Sequence, residues 1–166
     1  VLAWVPAVYA LVALFLVEHA PALSLSGAVG IAALGLAALA INYDADAQRQ
    51  RFRSSGGTAL IWGKPGEAIV APYTTGDGER RENLLLVSGW WGVARHFHYV
   101  PELLLAAAWT MPAGFSVALP WFYLFFLTIL LFDRANRDDL RCAEKYGPAW
   151  GEYRARVPRR IVPGIW

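Results

Sequence analysis

The stretch PALSLSGAVGIAALGLAALAINY, residues 21–43, decides the fold. It carries no charge over a length sufficient to cross a bilayer core, which takes about 20 residues of α-helix. Its Ala, Leu and Gly content is the composition that lets helices approach closely in lipid. A buried helical hairpin of a soluble protein is the alternative, but this run is apolar all round and not along one stripe. Directly after it, residues 44–53 turn polar and basic, with Arg49, Arg51 and Arg53 together. Arginines just past a span mark the cytosolic side.

Upstream, residues 2–17 form another uncharged run containing Trp4, Pro6 and Tyr9, closed by Glu18, His19 and Pro21. It is slightly short for a crossing. The first residue is Val and no basic n-region precedes the run, so the start reads as a cut inside a longer chain and not as a signal peptide. Bulk properties agree with lipid. Of the 166 residues 57% are hydrophobic and 14% aromatic, above the roughly 45–50% apolar content of soluble domains. The mean hydropathy is +0.36. Net charge is only +2. The basic clusters abut apolar spans, which fits a membrane protein better than a nucleic-acid binder. The lone Cys142 excludes an intramolecular disulfide framework and suits a cytosol-facing chain.

Downstream, residues 54–57 are a turn signal. Residues 59–62 and 68–71, separated by GKPGE, read as the two strands of a short β-hairpin. Residues 74–82 read as a polar loop. Residues 84–109 are apolar but interrupted by Arg95, His96 and His98, and residues 115–132 form the last apolar segment, with the turn MPAG at 111–114 between them. More basic residues follow from 134 to 160, on the same side as the first cluster. The expected fold is an all-α multispanning membrane protein with about four hydrophobic helical segments and a short cytosolic β-hairpin. Two spans lie in 1–43, a cytosolic loop with the hairpin in 44–83, a helical hairpin in 84–133 and a cytosolic tail in 134–166.

Three constellations carry chemistry. In SGWWGVARHFHY, residues 88–99, Arg95 offers a planar fork for phosphate or carboxylate. Trp90, Trp91 and Tyr99 could stack on a flat ring or sit in an interfacial aromatic belt. The glycines flanking the Trp pair suggest close backbone approach to a ligand. In residues 138–153, Asp138, Cys142 and Lys145 share one helix face with Tyr146 beside them, which suits ribose and phosphate; a juxtamembrane helix bound to anionic lipid has the same composition. Arg49 and Arg53, four apart next to Gln48, point the same way and suit a phosphate, although a positive-inside cluster looks identical. There is no G-x-G-x-x-G, P-loop or nucleophile elbow, and no zinc spacing among His19, His96, His98 and Cys142. No metal is expected.

LLVSGWWGVARH at 85–96 and RDDLRCAEKYGPAWGEYRARVPRR at 137–160 together resemble the signatures of the sterol reductase family, which holds the C14, C7 and C24 sterol reductases and the lamin B receptor. The resemblance covers about residues 2–166, as the C-terminal half of such a protein. Within the family, Leu60-Ile61-Trp62-Gly63, Arg95-His96-Phe97 and the ending Pro163-Gly164-Ile165-Trp166 resemble the C7, or 7-dehydrocholesterol, branch. The resemblance implies an NADPH pocket made of Arg49, Arg53, Leu86, Trp91, His98, Tyr99, Asp138, Cys142, Ala143, Glu144, Lys145, Tyr146 and Tyr153, with Asp138 and Tyr153 closest to catalysis. Arg49 stands where the family usually has Lys, His98 and Asp46 where it has Asn, and Arg159 where it has Tyr. A histidine at 98 implies a charge that depends on pH.

The implied reaction is NADPH-dependent reduction of a sterol carbon–carbon double bond, C7 first, with C14 or C24 as alternatives. The sterol would be held largely by a missing N-terminal half, so this piece alone is expected to be inactive. The partners implied are the sterol and the bilayer, with no nucleic acid. The membrane would be the endoplasmic reticulum in a eukaryote or the cytoplasmic membrane in a bacterium, with the cofactor site facing the cytosol. Two rivals stay open: an isoprenylcysteine-type membrane methyltransferase, whose KYG-W-Y-VP ending is similar, and a non-catalytic sterol-binding scaffold.

Overall fold

The computed structural model describes residues 4–162, and the expectation placed on 163–166 lies outside them. The chain divides into two compact units: residues 1–41 with 101–132, and residues 42–100 with 133–166.

The first unit contains α1 (Trp4–Glu18), the apolar part of α2 (Leu25–Ser54), most of α4 (Tyr99–Thr110) and the apolar start of α5 (Phe122–Tyr146). Ser24 caps α2, its Oγ accepting the Gly27 N–H at 3.1 Å. Among the described residues α2 alone is long and apolar enough to cross a membrane. The 12 residues of α4 reach only about 18 Å. The expected helical segment 84–109 is therefore shorter, because its first residues are strand and its middle is loop. Large apolar side chains point outward along α2, with Leu36 67% exposed. Gly35 instead faces Ala108 and Leu105 of α4, where a Cβ would sit 3.6 Å from Ala108 Cβ. The connection 111–121 is closed by Trp121, whose Nε1 donates to the Gly114 carbonyl at 2.8 Å.

The fold is mostly helical, as expected, but the second unit holds two small hairpins where one was expected. β1 (Leu60–Ile61) pairs with β2 (Lys64–Pro65), and β3 (Ala68–Thr74) with β4 (Arg80–Leu86), both antiparallel. The expected pairing of 59–62 with 68–71 is wrong for a local reason. Trp62 at φ 50 and Gly63 at φ 76 make a two-residue turn with both centres left-handed, which closes the first hairpin at once. β3 then takes 80–86 as its partner, across a turn in which the Gly78 N–H donates to the Thr75 carbonyl at 2.9 Å. The apolar Leu84, Leu85 and Leu86 are strand because alternate residues of β3, Ile69 and Ala71, need an inward-facing partner row. Short α3 (Trp90–Val93) follows, then the polar end of α5, and α6 (Pro148–Arg156) after the left-handed Gly147 at φ 52. Ile69, Ala71, Leu85, Tyr146, Trp150, Tyr153 and Val157 form one core, so α5 and α6 pack on the inner face of β3–β4.

Candidate functional site

The site lies wholly in the second unit and starts from the Trp90–Trp91 pair. Gly89 has φ +62, and a Cβ there would collide with the Gln48 side chain and lie 2.6 Å from Ile61 Cγ2. Only glycine lets the chain pass so close. Gly92 is held likewise against the Val87 carbonyl. Both glycines therefore serve packing against protein, not approach to a ligand. The contact aims the two indoles at α2. Trp90 Nε1 donates to Asp44 Oδ2 at 2.8 Å, and Trp91 Nε1 donates to the Ala45 carbonyl at 2.7 Å. These bonds fix the rotation of the polar end of α2 and hence the direction of Arg49 and Arg53. The Arg49 guanidinium lies 4.1 Å over the Trp91 ring and bonds Asp46 at 2.9 Å. Arg53 Nε donates to the Leu84 carbonyl at 3.2 Å.

The opposite wall comes from α5 and α6. Asp138, Cys142 and Tyr146 recur every fourth residue on one face of α5, and Gly147-Pro148 turns the chain so that Trp150 and Tyr153 return to the same place. With Asn83, Leu85 and Leu86 of β4 these residues and Arg49, Arg53 and Trp91 enclose a pocket of ≈ 200 Å³.

Burial sets the protonation states. Tyr153 is pushed up to about 12 by burial, against the opposing pull of Arg95, Arg53 and Arg49. It keeps its proton at neutral pH, and its hydroxyl donates to the Trp91 carbonyl at 3.5 Å. Burial and then the Asp138 carboxylate push the Cys142 thiol up to about 12, so it is not a nucleophile at neutral pH. Arg53 is lowered by burial and by Arg49 beside it. No carboxylate lies within ion-pairing distance of Arg53 among the described residues. Two adjacent guanidiniums in a half-buried pocket are a ready receptor for an anion.

Eight of the expected residues meet here: Arg49, Arg53, Leu86, Trp91, Asp138, Cys142, Tyr146 and Tyr153. His98 and Tyr99 do not line the pocket; the His98 ring stands 5.2 Å from Trp91 and 4.3 Å from Tyr99. Burial and Arg49 lower His98 to about 3, so its charge does not follow physiological pH as its residue type suggested. Ala143 packs into the core, while Glu144 and Lys145 are exposed. Asn83, Leu85 and Trp150 complete the lining without having been anticipated. The alternation of β4 was the available signal for the first two, once 83–86 is read as strand.

Arg95 is not a ligand fork. It is buried, and its Nη1 donates to the Val157 and Pro158 carbonyls at 2.6 and 3.0 Å. Its Nη2 lies 3.6 Å from Asp139, a buried carboxylate that also accepts from Trp150 Nε1 at 3.1 Å and faces Arg160 at 3.5 Å. The backbone joins in, the Arg95 and His96 N–H groups donating to the Arg159 and Arg160 carbonyls at 3.0 and 2.7 Å. This polar clamp ties the tail after α6 to the loop before α4, and so holds Tyr153 in the pocket wall.

All of the chain, residues 1–166, matches the ergosterol biosynthesis ERG4/ERG24 family. The chain belongs to that family. Over 165 residues this ERG4/ERG24 chain is 53% identical to the 7-dehydrocholesterol reductase of Arabidopsis thaliana, covering 99% of the chain and 38% of that protein. It is 42% identical to the Delta(14)-sterol reductase of Methylotuvimicrobium alcaliphilum, covering 99% of the chain and 36% of that protein. The 7-dehydrocholesterol reductase of Xenopus laevis is 40% identical over 163 residues, 98% of the chain and 34% of that protein. The chain thus spans 34–38% of the length of these relatives.

Proposed function

We propose that the protein uses NADPH to reduce a sterol carbon–carbon double bond, the C7 bond of a 7-dehydrosterol, and that the second unit is its cofactor site on the cytosolic side of the membrane. One observation carries the cofactor reading: the paired guanidiniums of Arg49 and Arg53 share a single pocket with Trp91 and the buried, protonated Tyr153. Arg49 and Arg53 fit the pyrophosphate, and Trp91 forms an apolar wall beside them. When bound, NADPH supplies hydride; the second hydrogen needed to saturate a double bond is a proton. Tyr153 Oη carries a proton in the pocket wall, and Asp138, with its side chain half exposed, faces the same space. Leu85, Leu86 and Trp150 add apolar walls to that space.

The C7 assignment is supported by the 53% identity to the Arabidopsis thaliana protein against 42% to the Methylotuvimicrobium alcaliphilum one. Sterol profiling of cells expressing the full-length protein tests it. Loss of 7-dehydrosterol with gain of its C7-saturated product is expected; consumption of a C14-unsaturated sterol with 7-dehydrosterol unchanged would move the activity to C14. Titrating the purified full-length protein with NADPH and with S-adenosylmethionine tests the cofactor, and binding of only the latter would end the reductase reading. Tyr153→Phe should retain NADPH binding while losing at least about a hundredfold in turnover, the scale of a positioned proton donor.

A further inference from the structure

The first hairpin folds back along the polar end of α2, and its contacts give it a direction. At its base the Ala59 N–H donates to Ser55 Oγ at 2.9 Å. Gly66, on the returning side, passes so close to the Phe52 ring that a Cβ there would collide with it. One step on, the buried Ile61 meets Gly89, which lies against the Gln48 side chain. At the turn, the Trp62 ring stands edge-on to Trp90 with centres 5.0 Å apart, and Trp90 Nε1 donates to Asp44. Trp62 and Asp44 also line one small cavity, together with Gln48, Arg51 and Leu60. The hairpin therefore descends past Ser55, Phe52, Gln48 and Asp44 in turn, with about 12 Å of helix between Phe52 and Asp44. Asp44 is the first charged residue of α2.

From this path we infer that the turn of the first hairpin docks into the headgroup layer of the bilayer, with Leu60 and Trp62 as apolar anchors and Lys64 beside lipid phosphate. This rests on the reading of α2 as a membrane span. An uncharged stretch of helix that ends at Asp44 puts Asp44 at the lipid–water boundary, where tryptophan and tyrosine are favoured. Tyr43, one residue earlier, is exposed at that level, and Leu60 and Trp62 are exposed with it, each by more than half. Burial within the fold is met by Ile61, the inward residue of β1, and leaves these three side chains outside. Trp62 has moreover a φ of 50, a left-handed conformation that is costly for an L side chain and that such turns ordinarily give to Asn, Asp or Gly. A large aromatic side chain at that position gains from a headgroup layer, where its ring meets hydrocarbon and its N–H stays wet. Lys64, exposed next to the turn, supplies the cation.

The test uses the full-length protein in phosphatidylcholine–phosphatidylserine vesicles, in a background without other reactive cysteines. An NBD fluorophore is attached at Leu60→Cys, Leu36→Cys or Asp77→Cys. The quenchers are a lipid spin-labelled at its headgroup, a lipid spin-labelled deep in its acyl chain, and aqueous iodide. The probe at 60 should lose most of its fluorescence to the headgroup label and little to iodide. The probe at 77, in the exposed turn between β3 and β4, should do the reverse. Adding Trp62→Ser to Leu60→Cys should shift quenching from the headgroup label toward iodide. A probe at 60 quenched by iodide as fully as the one at 77, or reached by no quencher because another part of the chain covers it, would overturn the docking. The probe at 36 keeps the two readings apart. Quenching there by the deep label, with none at 60 by the headgroup label, overturns the hairpin alone; no lipid quenching at 36 overturns the span on which it rests.

Discussion

The two units place polarity in opposite ways. In the first, the outside is apolar: Leu25, Leu36, Phe115, Phe125 and Ile129 are all more than half exposed. In the second, the inside is polar: Gln48, Arg95, His96 and Asp139 are buried. A soluble protein tolerates scattered exposed leucines but not a helix covered with them. The first unit therefore reads as matter made for lipid, where burial contributes little and small residues such as Gly35 set the helix contacts. The second is organised by directed bonds from tryptophans and arginines, such as Trp90 to Asp44 and Arg95 to the Val157 carbonyl. Two continuous helices, α2 and α5, contribute residues to both units, each apolar in one half and charged in the other.

The sharpest way to break this contrast is to remove the hub of the polar unit. Asp139→Ala strips the carboxylate that Arg95, Arg154 and Arg160 face and that Trp150 donates to. Deleting one partner of a buried pair leaves the other charge uncompensated and costs about 3–5 kcal/mol. The expected result is a large drop in thermal stability of the full-length protein, with protease cleavage appearing in 133–162 and α2 still inserted. Cleavage starting in 1–41 instead would mean that the units do not fail separately.

A matched pair of substitutions compares the two solvents directly. Leu36 in the first unit and Leu140 in the second are 67% and 71% exposed. If Leu36 faces lipid, Leu36→Lys costs about 2.5–3.5 kcal/mol of insertion. Leu140→Lys, facing water, should change stability by less than about 0.5 kcal/mol. Glycosylation-based insertion assays measure the first, and thermal unfolding the second. Equal, small effects at the two sites would show that α2 does not meet lipid at Leu36.

The contrast also explains what could be read from the sequence. Residues 21–43 and the basic turn after them are legible because an uncharged run of that length has few soluble uses. Eight pocket residues were legible through their motifs. The strands at 80–86 were not, because Leu84-Leu85-Leu86 looks the same at the start of a helix, and only the early closure of the Trp62-Gly63 turn frees β3 to pair with them. Arg95 shows a related limit. Its residue type suits a ligand anion and a buried carboxylate equally well, and the choice is made by Asp139, 44 positions away. His98 shows the same limit in electrostatic form, since burial against Trp91 and Arg49 overrides the ordinary titration of histidine.

The smallest expected effect concerns one proton, and it tests how dry the polar unit's pocket is. The Cys142 thiol is pushed up to about 12 from the ordinary 9.0, burial being the first cause and Asp138 the second. A raised thiol pKa adds nothing to the pH dependence of stability below pH 9, where both folded and unfolded thiols are protonated; stability falls as pH rises from 9 through 12, where only the unfolded thiol has ionised. Reactivity responds at lower pH. At pH 8 the folded thiolate fraction is about a thousandfold below that of a free cysteine, and the higher nucleophilicity of the more basic thiolate offsets part of this. Iodoacetamide should therefore modify Cys142 roughly 50-fold more slowly in the folded protein than in urea, read by mass spectrometry of the peptide that contains it. Asp138→Asn removes the second cause and leaves the first, so alkylation should quicken only modestly. Recovery of the full urea rate in that variant would show that the carboxylate, and not exclusion of water, holds the thiol protonated.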